Sequence, residues 1–253
     1  MTEIRDLEQL QENQKQLEQN IENFTTPFAF GIGLATKSAN GNILDVYYPA
    51  PQLGSDPYTC ALAANAVNWK GKTGSYELEE KSMRDIQGIL ESAEKNIGYS
   101  EESTQIIQPL LDAALNTDSP NGERIVVVCF ISDPTDDPVD AIDAYLRLHL
   151  LSTRLVKPHG IDLTGIFGQL TNCVWTNLGP FEVEGFNVIR AQLKAEGTEV
   201  LVHGLDKFPR MTDYVIPAGV RIADANRVRL GAHLSDGTTV MHEGFCNFNA
   251  GTL

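Results

Sequence analysis

The chain has 253 residues, 42% of them hydrophobic, and is long enough to bury a sizeable core in one or two domains. Its 19 lysines and arginines are outnumbered by 34 aspartates and glutamates, so the net charge is −15. Because nucleic acids and anionic membranes repel a broadly negative surface, the composition argues against both as partners. No stretch approaches the roughly 20 apolar residues that span a bilayer, the start of the chain lacks the features of a signal peptide, and the four separated cysteines fit reduced thiols. We therefore expect a cytoplasmic protein.

The first half of the chain has the patterns of both helices and strands. Apolar residues at three- and four-residue steps predict an amphipathic helix between Ile4 and Phe24, whose thin apolar stripe suits docking on a neighbouring surface. Strands are predicted over residues 28–35 and 43–48, with a turn-forming run at 39–42 between them. Residues 60–69 are alanine-rich and are left unassigned, helices are predicted at 82–93 and 105–115, a loop at 118–122 and a buried strand at 124–131.

The middle of the chain continues this mixture. The run Asp-Pro-Thr-Asp-Asp-Pro at 133–138 predicts the N-cap and the proline start of a helix over 141–155. Strands are expected at 174–176 and 198–202, and residues 186–193 form either a strand or a short helix. Since strands and helices do not alternate strictly, we predict an α+β domain over residues 1–207.

A six-residue period sets the last part of the chain, residues 208–253, apart as a second domain. From about residue 214 one apolar residue falls on every sixth position, with mostly small residues between. This period fits neither a helix nor a free strand but is typical of a parallel β-helix, in which three hexapeptides close one coil. An ordinary run of short strands and turns is the alternative. The six positions are Ile216, Ile222, Val228, Leu234, Val240 and Cys246.

The repeat is still running at Leu253, after about two coils. Solenoids usually carry more repeats and a cap. We therefore expect the natural protein to continue or the present chain to be truncated.

Glu243 is the candidate metal ligand or catalytic residue of the repeat. It places a carboxylate where the preceding coils have Gly or Ala. In a trimer of β-helices, three such carboxylates would approach a shared axis and repel one another unless a cation neutralised them. Asn226, about one coil earlier, could present its amide oxygen to the same region. A structural role for Glu243 at a wide, exposed corner is the alternative.

Basic residues near the start of the repeat could bind an anionic substrate. Guanidinium and ammonium groups there could form the clamp that a negative protein needs to hold a dicarboxylate. A solvated charged loop is an equally good interpretation. Two asparagines near the end of the chain could also bind a ligand carboxylate, or could form purely structural ladders. The candidate substrate-binding residues are Lys207, Arg210, Arg227, Arg229, Asn247 and Asn249.

Long strings of the chain resemble the tetrahydrodipicolinate N-succinyltransferases. In the repeat these are VRLGAH at 228–233, GTTVMHEGF at 237–245 and NFNAGT at 247–252. Upstream they are YLRLHLLSTRLVKPH at 145–159, WTN at 175–177 and DKFPRMTDYV at 206–215. The likeness is dense from about residue 140 and thin before it. It is strongest to the longer form of the enzyme, as found in pseudomonads and actinobacteria.

The resemblance implies a homotrimer of left-handed β-helices, each with an N-terminal α/β domain. The reaction implied is transfer of succinyl from succinyl-CoA to the amine of 2-amino-6-oxopimelate, in lysine and diaminopimelate synthesis. The position matching Glu243 is a magnesium ligand near the trimer axis in that family, and the position matching Asn226 is an aspartate in some relatives. Glu243 is accordingly assigned to Mg²⁺ first, with general acid–base work as the fallback.

The resemblance also limits what this chain can do alone. The acidic residue proposed to act in acyl transfer, and most of the coils that hold CoA, lie beyond Leu253 in the family. We therefore expect the chain as given to be inactive. Two other functions stay open: another hexapeptide-repeat CoA acyltransferase, and a non-catalytic trimerisation module.

Overall fold

A computed structural model describes residues 4–22, 24–54, 58–99, 102–116 and 119–253, so Asp118 of the expected loop lies outside the described residues. The helices are α1 (Leu7–Gln19), α2 (Tyr58–Ala66), α3 (Glu80–Ile97), α4 (Glu102–Leu115), α5 (Ala141–Ser152), α6 (Ile166–Gln169) and α7 (Phe186–Ala195). The strands are β1 (Ala29–Lys37), β2 (Ile43–Tyr47), β3 (Gln52–Leu53), β4 (Gly74–Glu77), β5 (Glu123–Ile131), β6 (Cys173–Thr176), β7 (Gly179–Glu182), β8 (Val202–Asp206), β9 (Arg221–Ile222) and β10 (Thr239–Val240).

An antiparallel sheet with the strand order β2-β1-β5-β4 forms the centre of the N-terminal part. Alternate residues of β5 point to opposite faces: Val128 and Phe130 join a core with helices α1 to α4, whereas Val127 and Cys129 join a second core with α5. Because both faces of the strand are covered, its sequence is a continuous apolar run rather than an alternation. This explains why the buried strand could be predicted from composition.

The sheet approaches the ring of Tyr48 so closely that β1 needs glycine at two positions. A Cβ built on Gly31 or Gly33 would lie 2.8 Å from a ring carbon of Tyr48, closer than real Cβ contacts come. On this face α5 is buried along its whole length, including the ion pair of Arg147 and Asp143, whose side chains are both fully buried. The buried helix α5 links the central sheet to the C-terminal part of the chain.

Several predicted elements are confirmed, and others need correction or completion. The unassigned segment 60–69 is mostly the buried helix α2, and 186–193 lies in a helix, α7. The N-cap of α5 is Asp140, which accepts a hydrogen bond from the Asp143 N–H at 2.8 Å, and not a residue of the 133–138 run, where Asp133 binds Thr135 instead. Short strands β3, β4 and β7 were not predicted.

The strand expected at 198–202 is displaced to Val202–Asp206. The side-chain amide of Asn177 donates to the Glu199 carbonyl and accepts from the Leu201 N–H, so these two backbone groups are bound by a side chain. Pairing with β6 begins only at Val202, and the resulting sheet has the order β7-β6-β8. Glu182 of β7 fastens this small sheet to the central one by accepting hydrogen bonds from Ser38 at 2.8 Å and from asparagine side chains of the β1–β2 turn.

In the C-terminal part the chain lies over itself once every 18 residues. Three parallel pairings show this: Arg221 with Thr239 at the start of β9 and β10, Val228 with Cys246, and His233 with Gly251. Each pair is 18 positions apart, which is the length of three hexapeptides. These parallel pairings have the spacing that the six-residue period predicts.

Five of the six periodic apolar residues pack into one interior cluster, but Ile216 does not. Val228, Leu234 and Val240 are buried there, with Ile222 and Cys246 packed against them. Ile216 is 78% exposed. Met211 and Val215 fill the cluster at this end instead.

Among the described residues, no helix has both the length and the hydropathy required to cross a membrane.

Candidate functional site: a cleft between the small sheet and the coils

A cleft of about 230 Å³ opens where strand β8 of the small sheet faces the first two coils. Aromatic rings form much of its wall, and two of the predicted arginines and one predicted asparagine enter it. The lining residues are Trp175, His203–Asp206, Phe208, Pro209, Arg210, Asn226, Val228, Arg229 and Phe245.

Arg229 is held in the cleft from four sides. Its Nη2 donates to the Asp206 carboxylate at 2.5 Å, and its Nη1 donates to the Asn247 amide oxygen, one coil further on, at 3.1 Å. The guanidinium carbon lies 5.4 Å from the centre of the Phe208 ring and 5.8 Å from that of Phe245. These contacts join β8 to two successive coils through one side chain, and they fix the direction of its remaining N–H groups.

Arg210 lies beside Arg229 because their backbones form an antiparallel bridge. Its guanidinium makes a two-point ion pair with Asp213, with Nε–Oδ2 at 2.9 Å and Nη2–Oδ1 at 3.0 Å. Both arginines therefore have a carboxylate partner. Since a guanidinium carries five N–H groups, each arginine keeps about three for a ligand, and the cleft offers directed donors rather than a large excess of positive charge.

The structure does not bring all the predicted binding residues into this cleft. The Nζ of Lys207 donates to the Phe167 carbonyl at 2.5 Å, and Arg227 forms an ion pair with Asp224 at 3.8 Å. Neither lines the cleft. Asn247 takes part through its hydrogen bond to Arg229.

Asn249 lies in a different, wider cleft of about 510 Å³, where it is bound to His159. Its Oδ1 accepts from the His159 N–H at 2.7 Å, and its Nδ2 lies 3.2 Å from the His159 Nδ1. Both residues have a positive φ, 56° and 64°. The amide is used at both ends, so in this chain Asn249 holds the loop after α5 against the second coil.

Glu243 and Asn226 lie on adjacent coils but do not form a complete cation site within one chain. Because Val228 pairs with Cys246, Asn226 lies against Gly244, next to Glu243. Glu243 is exposed and has no partner among the described residues, and Asn226 uses its Nδ2 on Asp224 and leaves its oxygen free. The described residues contain no group of three or more acidic, histidine or cysteine side chains placed to hold a metal. Two oxygens are fewer than the six that Mg²⁺ takes.

His203 is a site residue that the sequence analysis missed. It lies on β8, outside the strand predicted at 198–202, and it lines the cleft without a hydrogen-bond partner among the described residues. Had the strand been located correctly, the alternation of side chains along residues 202–206 would have placed His203 on the same face as Leu205. Trp175, behind it, is fixed by a hydrogen bond from its Nε1 to the Asp206 carbonyl at 2.9 Å.

Behind the cleft, polar groups are buried between β2, α5 and the start of the coils. Tyr214 donates to Asp45 at 2.6 Å, and burial raises the pKa of Asp45. The His149 Nε2 accepts from the Tyr48 N–H at 3.3 Å, so its Nδ1 carries the proton and donates to the Tyr145 carbonyl at 2.7 Å. Burial lowers the pKa of His149 to about 4, and the ring is neutral at physiological pH.

Comparison with known proteins finds similarity to one group of enzymes. A family model described as the middle part of tetrahydrodipicolinate N-succinyltransferase matches residues 170–210, which contain the small sheet and one side of the cleft. Proteins named 2,3,4,5-tetrahydropyridine-2,6-dicarboxylate N-succinyltransferase from Salinispora tropica and Vibrio cholerae are 44% and 42% identical over 90% and 89% of the chain. The chain is a homologue of these succinyltransferases.

Other relatives agree with this conclusion. The succinyltransferase of Pseudomonas paraeruginosa is 40% identical over 89% of the chain. A crystal structure of a putative 2,3,4,5-tetrahydropyridine-2-carboxylate N-succinyltransferase from Campylobacter jejuni superposes with a TM-score of 0.83 at 26% identity, covering 100% of this chain and 66% of that one. The recognition from sequence strings is thus confirmed, and the similarity extends well into the part before residue 140, where the strings had suggested only a thin likeness.

The chain spans about 60% of the length of the curated succinyltransferases that it matches: 60% for Salinispora tropica and 61% for both Vibrio cholerae and Pseudomonas paraeruginosa.

Proposed function

We propose that the chain acts in the transfer of succinyl from succinyl-CoA to the amine of 2-amino-6-oxopimelate, the open form of tetrahydrodipicolinate, in lysine and diaminopimelate synthesis. The observation that carries the proposal is 44% identity, over 90% of the chain, to a protein named for this transfer. In the reaction a deprotonated amine attacks a thioester, an oxyanion forms, and the leaving thiolate takes up a proton. A cytoplasmic location is part of the proposal.

The cleft of Arg210 and Arg229 is proposed to bind a carboxylate of the acceptor. Both side chains are fixed by aspartates, so their free N–H groups are already oriented before a ligand arrives. The rings of Phe208 and Phe245 lie beside the Arg229 guanidinium and help to hold it in place. The other predicted binding residues have their polar groups engaged elsewhere in one chain. They remain proposed substrate contacts only if their side chains move or if the ligand binds between two copies of the chain. These residues are Lys207, Arg227, Asn247 and Asn249.

The C-terminal part is proposed to be the first coils of a left-handed β-helix that forms a homotrimer. The 18-residue pairings and the shared interior cluster support this proposal. In such a trimer Glu243, with the free oxygen of Asn226, would hold Mg²⁺ at the axis, where the cation would neutralise carboxylates from three chains. General acid–base work by Glu243 is the fallback, since its carboxylate is exposed and unpaired among the described residues.

The test is release of free CoA thiol from succinyl-CoA, measured with and without the amine acceptor, by the protein that the complete gene encodes. The proposal requires acceptor-dependent release that is at least 10-fold faster with succinyl-CoA than with acetyl-CoA. Equal or faster release with acetyl-CoA would support a different hexapeptide-repeat acyltransferase. A folded trimer that releases no thiol with either donor would support a trimerisation module. Assay of residues 1–253 alone under the same conditions tests the separate expectation that this chain is inactive.

A further inference from the structure

Arg210 stands at the start of a tight turn whose two ends are held by different parts of the molecule. The turn is the 3₁₀ helix Met211–Asp213. At its start, the backbone of Arg210 bridges to that of Arg229, and the side chain of Met211 is fully buried in the interior cluster of the coils. At its end, Tyr214 packs against the core between the central sheet and α5. The turn therefore joins the coils to the N-terminal part.

Tyr214 is held both by its ring and by its hydroxyl. The centre of the ring lies 6.0 Å from that of Tyr145 and 5.7 Å from that of His149. The hydroxyl donates to the Oδ2 of Asp45, on β2, at 2.6 Å. A hydrogen bond to a charged acceptor contributes more than one between neutral groups. This single contact fixes the end of the turn relative to β2.

Asp45 is itself fixed on the sheet. Its carboxylate also accepts hydrogen bonds from the side chain and the backbone of Thr36, its paired residue on β1. Asp45 does not line the cleft in which the guanidinium groups of Arg210 and Arg229 lie. Its connection to that cleft runs through Tyr214 and the turn.

Loosening the end of the turn would act on Arg210 through Asp213, the residue before Tyr214. The Asp213 carboxylate binds the Arg210 guanidinium at 2.9 and 3.0 Å. The Asp213 N–H donates to the Arg210 carbonyl at 3.3 Å, and the Tyr214 N–H donates to the Met211 carbonyl at 2.9 Å. The short turn thus carries the ion pair as one unit. Without the hydroxyl contact the Asp213 carboxylate loses its fixed place, and the guanidinium loses its orientation.

We infer that Asp45 is a positioning residue for Arg210, acting through the hydroxyl of Tyr214 and the carboxylate of Asp213. The inference rests on the proposed function, in which Arg210 binds a carboxylate of the acceptor. Asp45 makes no contact with the ligand in this arrangement. It holds the free N–H groups of Arg210 in the direction in which the ligand meets them, so that less order has to be gained on binding.

Tyr214→Phe tests the inference in the protein that the complete gene encodes. Phenylalanine keeps the ring beside Tyr145 and His149 and removes only the hydroxyl. We expect the KM for the acceptor to rise about 5-fold or more. The kcat and the KM for succinyl-CoA should stay unchanged, because a carboxylate remote from the reacting atoms is bound equally in the ground and transition states.

Tyr48→Phe is the matched control. It removes another buried tyrosine hydroxyl, one that donates to the Ile142 carbonyl at 3.0 Å and does not contact the turn. This variant should change neither KM. An acceptor KM that is unchanged in Tyr214→Phe, or that rises equally in Tyr48→Phe, would overturn the inference.

Substitutions of Asp45 separate positioning from direct contact with the ligand. Asp45→Ala removes the acceptor of the Tyr214 hydroxyl and should raise the acceptor KM as Tyr214→Phe does. Asp45→Asn keeps an oxygen that can accept from the hydroxyl, so it should restore most of the parent value. The double variant Asp45→Ala/Tyr214→Phe should be no worse than either single variant, because both remove the same contact. Equal increases for Asp45→Asn and Asp45→Ala, with additive effects in the double variant, would overturn the inference.

Crystal structures of the parent and of Tyr214→Phe provide a test that does not depend on activity. The inference requires the two-point ion pair of Arg210 and Asp213 to be ordered in the parent and broken or disordered in the variant. An identical ion pair in both would overturn the inference even if the proposed reaction is confirmed. A disturbed ion pair, in a protein whose parent form releases no thiol from succinyl-CoA, would uphold the positioning of Arg210 and refute only the proposed reaction.

Discussion

Replacing Arg147 by Met should destabilise the protein by about 3–5 kcal/mol, the cost of leaving a buried carboxylate without its partner. Both side chains of the Arg147–Asp143 pair are fully buried. The guanidinium donates to both oxygens of Asp143, at 2.8 and 3.1 Å, and its Nη1 also donates to the backbone carbonyls of Asp136 and Asp162, at 2.6 and 2.8 Å. Methionine fills a similar volume, so the loss reports the charge and the hydrogen bonds rather than a cavity.

The pH dependence of this loss separates an electrostatic cause from a packing defect. Burial already raises the pKa of Asp143 with Arg147 present, and removal of the cation raises it further. A carboxyl group whose folded pKa is raised costs stability as pH rises above its unfolded pKa, near 3.9, because the folded state must then lose a proton that it holds tightly. The deficit of Arg147→Met relative to the parent should therefore be smaller at pH 4.5 than at pH 7.5.

Urea unfolding followed by circular dichroism measures the effect, and the double variant Asp143→Leu/Arg147→Met is the control. With both charges gone, no buried ion is left unpaired, and the double variant should be more stable than Arg147→Met alone. A loss below about 1 kcal/mol in the single variant, or a double variant less stable by the sum of both single losses, would refute the reasoning.

Three further predictions concern the core, the coils and the loop after α5. Burial lowers the pKa of His149 from 6.5 to about 4, so the folded state resists protonation. About 3 kcal/mol of stability should therefore be lost as pH falls from 6.5 to 4. His149→Gln should flatten this part of the plot of stability against pH, and an unchanged plot would contradict the assignment. Leu234→Ala should cost about 2–5 kcal/mol, whereas Ile216→Ala, at a periodic position that is 78% exposed, should cost less than about 0.5 kcal/mol; equal losses by thermal unfolding would contradict the register of the coils. Asn249→Ala removes both contacts with His159 and leaves a non-glycine residue at φ 56°. The alanine variant should therefore be about 1 kcal/mol less stable than Asn249→Gly. If Asn249→Ala is instead the more stable of the two, the loop relaxes.

The elements that local pattern determines could be predicted from the sequence. The β-branched run of β5 and the spacing of α3 and α4 each depend on residues close in the chain, and all three are found near the expected bounds. The six-residue period also determined the stacking, because an 18-residue coil repeats the same contacts at every level. The period wrongly predicts the burial of Ile216, because Met211 from the preceding turn occupies the interior at this end. A period alone does not show where a repeat begins.

What sequence could not show were contacts between distant segments. Strand β8 is displaced because the side chain of Asn177, 24 positions earlier, binds the Leu201 N–H. Arg229 is paired with Asp206 and Arg210 with Asp213, and the sequence did not show that the two arginines predicted to clamp a dicarboxylate already have carboxylate partners. His203 was missed for the same reason, since its place on the cleft wall follows from the pairing of β8 with β6.

The proposed binding of an amino-dicarboxylate acceptor in the cleft of Arg210 and Arg229 can be measured through the KM values of the two substrates. In the protein that the complete gene encodes, Arg210→Gln should raise the KM for the acceptor about 10-fold or more and leave the KM for succinyl-CoA unchanged, because one charge-assisted contact to a carboxylate is lost. Arg221→Gln, an exposed arginine on β9 outside the cleft, serves as the matched control and should change neither value. An acceptor KM that is unchanged in Arg210→Gln, or equal increases for both substrates, would show that this cleft does not hold the acceptor carboxylate.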